Sequence, residues 1–251
     1  MRVALTRPVS ATIADCELTF LDRQPIDAAR AAAQHEAYER CLAEHCSVER
    51  LPAAPDLPDS VFVEDIAIVL DEIAIITRPG AESRRAETQS VEAALQRYRP
   101  LSRVREPGTV DGGDILLLDR TMYAGRSQRT NDIGIAQLRA LAKGCDVVPV
   151  SFSGCLHLKS AVTPVGERTL LINGDWVDGA LFRGFETISV DPNEPHAANA
   201  LRLDDVILFS ASHPRTRRAL ERRGYHVETV DVSELEKAEA GVTCCSIIVE
   251  A

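Results

Sequence analysis

The sequence predicts an α/β protein of five strand–helix units joined in a ring. Strand-like apolar runs alternate with helical patterns along the whole chain. The starts of these units recur at roughly 40–50 residues, the spacing of repeat and propeller architectures. The last apolar run, residues 245–249, has no helix after it, while the N-terminus offers strand 3–5 and an Ala-rich helix over 27–44. Completing the last unit with the first residues closes the ring, and a closed ring has no terminal unit that needs a cap. Without that closure the same alternation describes a doubly wound α/β sheet. No Pro/Gly/Ser-rich linker divides the 251 residues, so residues 1–251 read as a single domain.

The elements follow in order. Residues 62–70 and 72–77 are β-branched and apolar and read as strands. Arg78-Pro79-Gly80 turns the chain, and 83–98 carries a helical pattern. The next unit repeats that order with strands 114–118 and 121–124 and a helix over 130–143. Thr130 is its expected N-cap and Gly144 its stop. A third unit has strands 156–165 and 169–172 and a weaker helical stretch over 176–183. A fourth has strands 197–203 and 206–209 and a helix over 214–223, stopped by Gly224.

Composition narrows the function. A chain of 251 residues buries a large core, and 45% hydrophobic with 26% charged residues is the balance of a soluble globular protein. The net charge of −10 argues against nucleic acid, because no basic face would neutralise phosphates. It weakly favours a small cationic ligand, although solubility alone explains such a charge. Seven cysteines without a C-x-x-C pair are neither a disulfide framework nor a zinc-ribbon spacing. Free thiols imply a reducing, cytoplasmic setting. Residues 1–8 carry no long apolar run, so no signal peptide is expected. No apolar stretch approaches the roughly 20 residues that span a membrane.

Cys244, in Gly241-Val242-Thr243-Cys244-Cys245-Ser246, and His157, in Cys155-Leu156-His157-Leu158-Lys159-Ser160, carry the chemical signal. Two acidic clusters precede them, Pro58-Asp59-Ser60-Val61-Phe62-Val63-Glu64-Asp65 and Val110-Asp111-Gly112-Gly113-Asp114. A thiolate, an imidazole and several carboxylates suffice to attack a planar cationic carbon. The thiolate adds to the carbon, the imidazole moves protons and the carboxylates hold the positive charge. Strand alternation points Cys244 and Cys245 opposite ways, and parity does not choose between them. Most free cysteines are simply small buried hydrophobes, and a histidine between two leucines is commonly structural. The acidic run is harder to dismiss. Glu64 and Asp65 fall inside an expected apolar strand, where ionised carboxylates are costly unless paired. The two glycines of Asp111-Gly112-Gly113-Asp114 permit positive φ or close backbone approach, and the flanking acids fit plain turn formation equally well.

Seven segments in collinear order resemble the dimethylarginine dimethylaminohydrolase family. They are Pro58 to Asp65, Thr77-Arg78-Pro79-Gly80-Ala81-Glu82-Ser83-Arg84-Arg85, Asp111-Gly112-Gly113-Asp114, Arg129-Thr130-Asn131, Leu156-His157-Leu158-Lys159-Ser160, Ala197-Ala198-Asn199 and Thr243-Cys244-Cys245-Ser246. The resemblance implies the guanidine-modifying, or pentein, superfamily and its five-bladed α/β propeller with pseudo-fivefold symmetry. It implies hydrolysis of Nω-methylated arginine to citrulline and an alkylamine through a covalent thiouronium. On matching positions it makes Cys244 the nucleophile, His157 the general acid/base and Asp111 the residue that orients the histidine. Asp59, Glu64 and Asp65 match residues around the guanidinium and α-amino ends of the substrate. Arg84 and Arg129 match those that bind its α-carboxylate, which suits the guanidinium fork. Leu18 falls at a lid position and Ala238 at a backbone contact to substrate. No cofactor and no metal are implied. The expected partner is the small-molecule substrate, not nucleic acid or a membrane, and the expected state is a monomer or homodimer.

Relatives on this fold mark the alternatives: arginine deiminase, citrulline hydrolase and amidinotransferase. Arginine deiminases carry Asp two positions after the histidine, where this chain has Lys159. A dimethylated nitrogen has no N–H to donate, so a carboxylate there would be left unpaired. Amidinotransferases usually carry added segments. A ribosome-subunit binding factor on the same fold lacks the nucleophile, which Cys244 retains here. A zinc hydrolase using His157, Cys244 and Asp111 would occupy that nucleophile with metal.

Overall fold

Short apolar strands hydrogen-bonded in threes build the molecule, and the computed structural model describes residues 2–250. There are five such sheets. The first joins β15 (Ile247–Glu250), β1 (Arg2–Thr6) and β2 (Ser47–Arg50). The second is β3 (Ala67–Val69), β4 (Ala74–Ile76) and β5 (Leu101–Arg103). The third is β6 (Ile115–Leu118), β7 (Thr121–Arg126) and β8 (Asp146–Ser151). The fourth is β9 (Val162–Gly166), β10 (Thr169–Ile172) and β11 (Glu186–Ser189). The fifth is β12 (Ala200–Leu203), β13 (Val206–Ser210) and β14 (His226–Val230). In every sheet the central strand pairs antiparallel with the strand before it and parallel with the strand after it.

A parallel neighbour requires a crossover, and helices supply it. Helix α1 (Ala28–Ala43) connects β1 to β2, α2 (Thr88–Leu95) β4 to β5, α3 (Asp132–Leu141) β7 to β8, and α5 (Pro214–Glu221) β13 to β14. Between β10 and β11 the expected helix over 176–183 is reduced to a 3₁₀ turn, Gly179–Leu181. Asp27 caps α1 by accepting from the N–H groups of Ala29 and Arg30, both at 3.0 Å. Asn131, not Thr130, caps α3 through Gly134 N–H at 2.7 Å.

The central strands explain the ring. Each splits its two faces between two hydrophobic clusters, as a period of two requires. On β1, Val3 and Leu5 pack with Ile66, Ile76 and Leu95, while Ala4 packs with Tyr38, Leu42 and Leu208. On β4, Ile75 faces the cluster of Met122 and Leu138, and Ala74 and Ile76 face away from it. On β7, β10 and β13 the same division separates Tyr123 from Met122, Leu171 from Leu170, and Leu208 from Ile207. Five sheets therefore interleave with five clusters. The architecture is a five-bladed α/β propeller, closed where β1 meets β15 with Val3 opposite Val249 and Leu5 opposite Ile247.

Three expectations change near the site. Residues 62–70 are not one strand, because a 3₁₀ turn, Val63–Ile66, precedes β3. Residues 156–165 begin with a one-turn helix, α4 (Leu158–Ala161), before β9. Cys244 and Cys245 lie in a turn ahead of β15, not in the strand itself. Among the described residues no helix is long and apolar enough to cross a membrane.

Candidate active site

Four segments place the chemistry-bearing side chains. The 3₁₀ turn Val63–Ile66 carries Glu64 and Asp65, and its curvature sends the two carboxylates apart. The turn Gly112–Asp114 follows Asp111. His157 is the extended residue just before α4, with φ −126° and ψ 156°. The turn before β15 presents Cys244, whose N–H donates to Gly241 O at 3.2 Å and whose Sγ accepts from Gly241 N–H at 3.3 Å.

Close approach explains the two glycines. A Cβ on Gly112 would lie 2.0 Å from Glu64 O. A Cβ on Gly113 would lie 2.6 Å from His157 Nδ1 and 2.8 Å from Asp65 Oδ1. Both contacts are impossible for any other residue without movement, so the backbone here is the wall against which the imidazole stands.

The imidazole is held from both sides. Its Nε2 meets Asp111 Oδ2 at 3.1 Å, and its Nδ1 lies 3.7 Å from Asp65 Oδ1. Asp111 is fully buried behind the ring. Its other oxygen accepts from Gly80 N–H at 2.9 Å. Asp65 accepts from Arg84 Nη1 at 2.6 Å and from Gly113 N–H at 3.0 Å. Asp114 accepts from Leu158 N–H at 3.1 Å and from Ser127 Oγ at 2.6 Å, which fixes the start of α4 and hence His157. Asp65, Asp111 and His157 stand close enough to share a metal ion, but each already has protein partners, and Cys244 is not in that group.

A small cleft lies over this arrangement. Asp59, Asp65, Arg84, Arg129, His157, Ala238 and Cys244 line it. Glu17, Phe62, Leu156, Glu239 and Ala240 complete the wall. Among the described residues no hydrogen bond joins Cys244 Sγ to the imidazole, and the two face the cleft as separate groups.

The family model described as N,N dimethylarginine dimethylhydrolase, eukaryotic, matches residues 18–249. The chain belongs to the dimethylarginine dimethylaminohydrolase family. It is 42% identical over 249 residues to N(G),N(G)-dimethylarginine dimethylaminohydrolase of Streptomyces coelicolor, covering 97% of this chain and 95% of the relative. It is 40% identical over 227 residues to the Pseudomonas aeruginosa enzyme of that name, covering 88% and 89%. A solved structure of the Pseudomonas aeruginosa protein, a cysteine-to-serine mutant complexed with citrulline, superposes with a TM-score of 0.94 at 36% identity over 98% of each chain. The cyanobacterial arginine dihydrolase N-terminal domain shares the fold, with a TM-score of 0.90 at 19% identity over 99% and 97%.

Several residues that the family resemblance singles out sit away from the cleft. Asp111 is behind His157, and Leu18 is half-buried against the cluster that contains Ala238 and Cys244. Glu64 opens onto a different cavity, with Lys159 and Thr243. There its carboxylate accepts from Lys159 Nζ and from Thr243 Oγ1, both at 2.7 Å. Lys159 is thus turned from the cleft and neutralises Glu64. Arg84 lines the cleft, yet its guanidinium is bound by Asp65, by Glu87 at 2.9 Å and by the carbonyls of Asp59 and Phe62. The pairing with Glu87 was readable only as an i, i+3 spacing. Arg129 is freer, with Thr19 Oγ1 as its side-chain acceptor at 3.3 Å.

The charges set the protonation states. Burial pushes the Cys244 thiol up to about 12, and Glu64 and Asp65 add to the rise. Burial alone would lower His157, but the charge of Asp65 and the hydrogen bond to Asp111 outweigh it and raise the ring to about 9. Burial likewise works against Asp65, and the charges of His157 and Arg84 still hold it down at about 2. Burial raises Asp59, against the opposing charge of Arg84. At neutral pH the cleft therefore holds a thiol, an imidazolium and an ionised Asp65.

Proposed function

We propose that this chain hydrolyses Nω-methylated arginine to citrulline and methylamine or dimethylamine, with Cys244 as nucleophile. The observation that carries this reading is the placement of Cys244 and His157 on one small cleft whose walls include Asp59 and Asp65. The cationic guanidinium fits that charge. Its arrival beside Sγ opposes the burial and the charges of Glu64 and Asp65 that keep the thiol protonated, because an opposite charge favours the thiolate.

The thiol proton passes to bulk water and the thiolate adds to the guanidinium carbon. His157 then gives its proton to the alkylated nitrogen, the C–N bond breaks and the neutral amine departs. An S-alkylthiouronium remains on Cys244. The now neutral imidazole takes a proton from water, whose oxygen attacks the same carbon. The C–S bond breaks as the adduct's hydroxyl proton passes to the departing sulfur, which gives citrulline and restores the thiol beside the imidazolium. Asp111 holds the ring in place, and Asp65 keeps it charged for the first proton transfer. Arg129 is the better placed of the two arginines to take the α-carboxylate, since Arg84 is already engaged by two carboxylates. Asp59 is placed for the α-amino end, with Leu18 and Ala238 at the lid and backbone contacts. Glu64 acts from outside the cleft, through the field it adds at Cys244.

All groups in this scheme come from one chain, so a monomer suffices for the chemistry. Seven free thiols fit a reducing, cytoplasmic setting. The test is a product assay on purified protein with asymmetric dimethylarginine, monomethylarginine and arginine. Dimethylamine and citrulline from the first, with kcat/KM above that for arginine, is the expected result. Ammonia from arginine as the faster reaction would instead mark a deiminase.

A further inference from the structure

Glu239 lines the cleft, and the reaction above gives it no task. Its carboxylate accepts hydrogen bonds from three consecutive backbone N–H groups, those of Thr19, Phe20 and Leu21, at 2.9, 2.5 and 2.6 Å. Successive N–H groups converging on one anion form a nest. Residues 17–21 have no helix or strand to hold them. Two further contacts tie this segment to the cleft: Glu17 N–H donates to Asp59 at 3.2 Å, and Thr19 Oγ1 accepts from Arg129 at 3.3 Å. The segment therefore covers the two side chains assigned above to the amino-acid end of the substrate.

The backbone of Glu239 is a second observation. Its φ is +60°, in the left-handed region that glycine favours and glutamate does not. Such a conformation persists where its surroundings impose it. Here the side chain that glycine would lack is the one that holds residues 19–21.

We propose that Glu239 is a positioning residue, a clasp whose carboxylate holds residues 19–21 over the cleft and so keeps Thr19 and Glu17 against Arg129 and Asp59 while substrate is bound. Losing the clasp lets the segment lift and weakens retention of the substrate's amino-acid end. The chemistry at Cys244 is left in place. The identity of that substrate rests on the proposed function, but the clasp itself is measurable without substrate.

The experiment compares the unaltered chain with E239G and E239Q. Glycine relieves the left-handed strain, so E239G is expected to melt no lower than the parent. Amide hydrogen exchange of a peptide spanning residues 17–24, read by mass spectrometry, is expected to quicken about tenfold or more in E239G, in line with loss of charge-assisted hydrogen bonds. KM for asymmetric dimethylarginine should rise by about the same factor, more than kcat changes. E239Q keeps one acceptor oxygen and should fall between the two. Unchanged exchange in E239G would overturn the proposal. So would faster exchange with KM unmoved, or a lower melting temperature with kcat lost and KM constant, the mark of a structural role. If the unaltered chain proves inactive on methylated arginine, the proposed function fails while the exchange measurement still decides the clasp.

Discussion

His157 shows how far burial and charge compete at a single residue. Burial lowers an imidazole pKa, yet the ring reaches about 9 because Asp65 and Asp111 stand on either side of it. That value lies above the ordinary 6.5, so the charged ring stabilises the fold fully below 6.5, and this stability is lost as pH rises through about 9. Asp65 works in the other direction. Its pKa falls from 3.8 to about 2, so its contribution is complete above 3.8 and is lost as pH drops through 2. The kinetic consequence follows from a thiol that ionises at higher pH than the imidazolium. Below about 9 each unit of pH makes more thiolate while His157 stays charged. Above it, gain of thiolate is matched by loss of imidazolium. The log of kcat/KM is therefore expected to climb with pH and level near 9, as a rate profile on asymmetric dimethylarginine would show. In D111N, where one supporting charge is gone, the break should move to lower pH. A break that stays in place would mean Asp111 does not set the pKa of the ring. At this scale the sequence made the residue types legible but not their directions. Asp65 faces the cleft while Glu64, its neighbour, faces Lys159.

Elements near the site depart most from what apolar periodicity expects. Residues 62–70 look like a strand because Phe62, Val63 and the run Ile66 to Leu70 are apolar. They are a 3₁₀ turn, Val63–Ile66, that carries Glu64 and Asp65, followed by a short strand. The Cys244–Cys245 parity question likewise dissolves, because both sit in a turn. The third strand of each blade left no clear signal. β2 and β11 are short edge strands in which Ser47, Arg50, Glu186 and Ser189 are exposed. What these elements accomplish is positional, and Gly113 tests it. In G113A the added methyl would meet His157 Nδ1 at 2.6 Å. Activity should fall about 100-fold, the cost of roughly 1 Å of misplacement, with the fold intact by circular dichroism. An active G113A variant would show that the backbone wall tolerates the shift.

For the whole molecule the decisive feature is closure, and closure was legible. An unpaired apolar run at one end and a strand followed by a helix at the other satisfy each other by meeting. β15 and β1 do meet, in an antiparallel ladder. The assembly of the site could not be read this way, since it depends on how four separate segments converge on one cleft. Closure makes the terminal ladder part of the common core: Val249 is fully buried with Val3, Ile66 and Leu95. V249A should therefore lower stability by about 2 kcal/mol. In urea it should do so in one transition, with fluorescence and circular dichroism coincident. An early, separate transition would indicate that the first blade frays alone.

The measurement that bears most directly on the proposed chemistry is mass spectrometry of protein quenched during turnover of asymmetric dimethylarginine. The expected result is an added thiouronium mass on the peptide that contains Cys244, absent in C244S. Turnover to citrulline with no adduct on that peptide, or an adduct on Cys245 in its place, would contradict it.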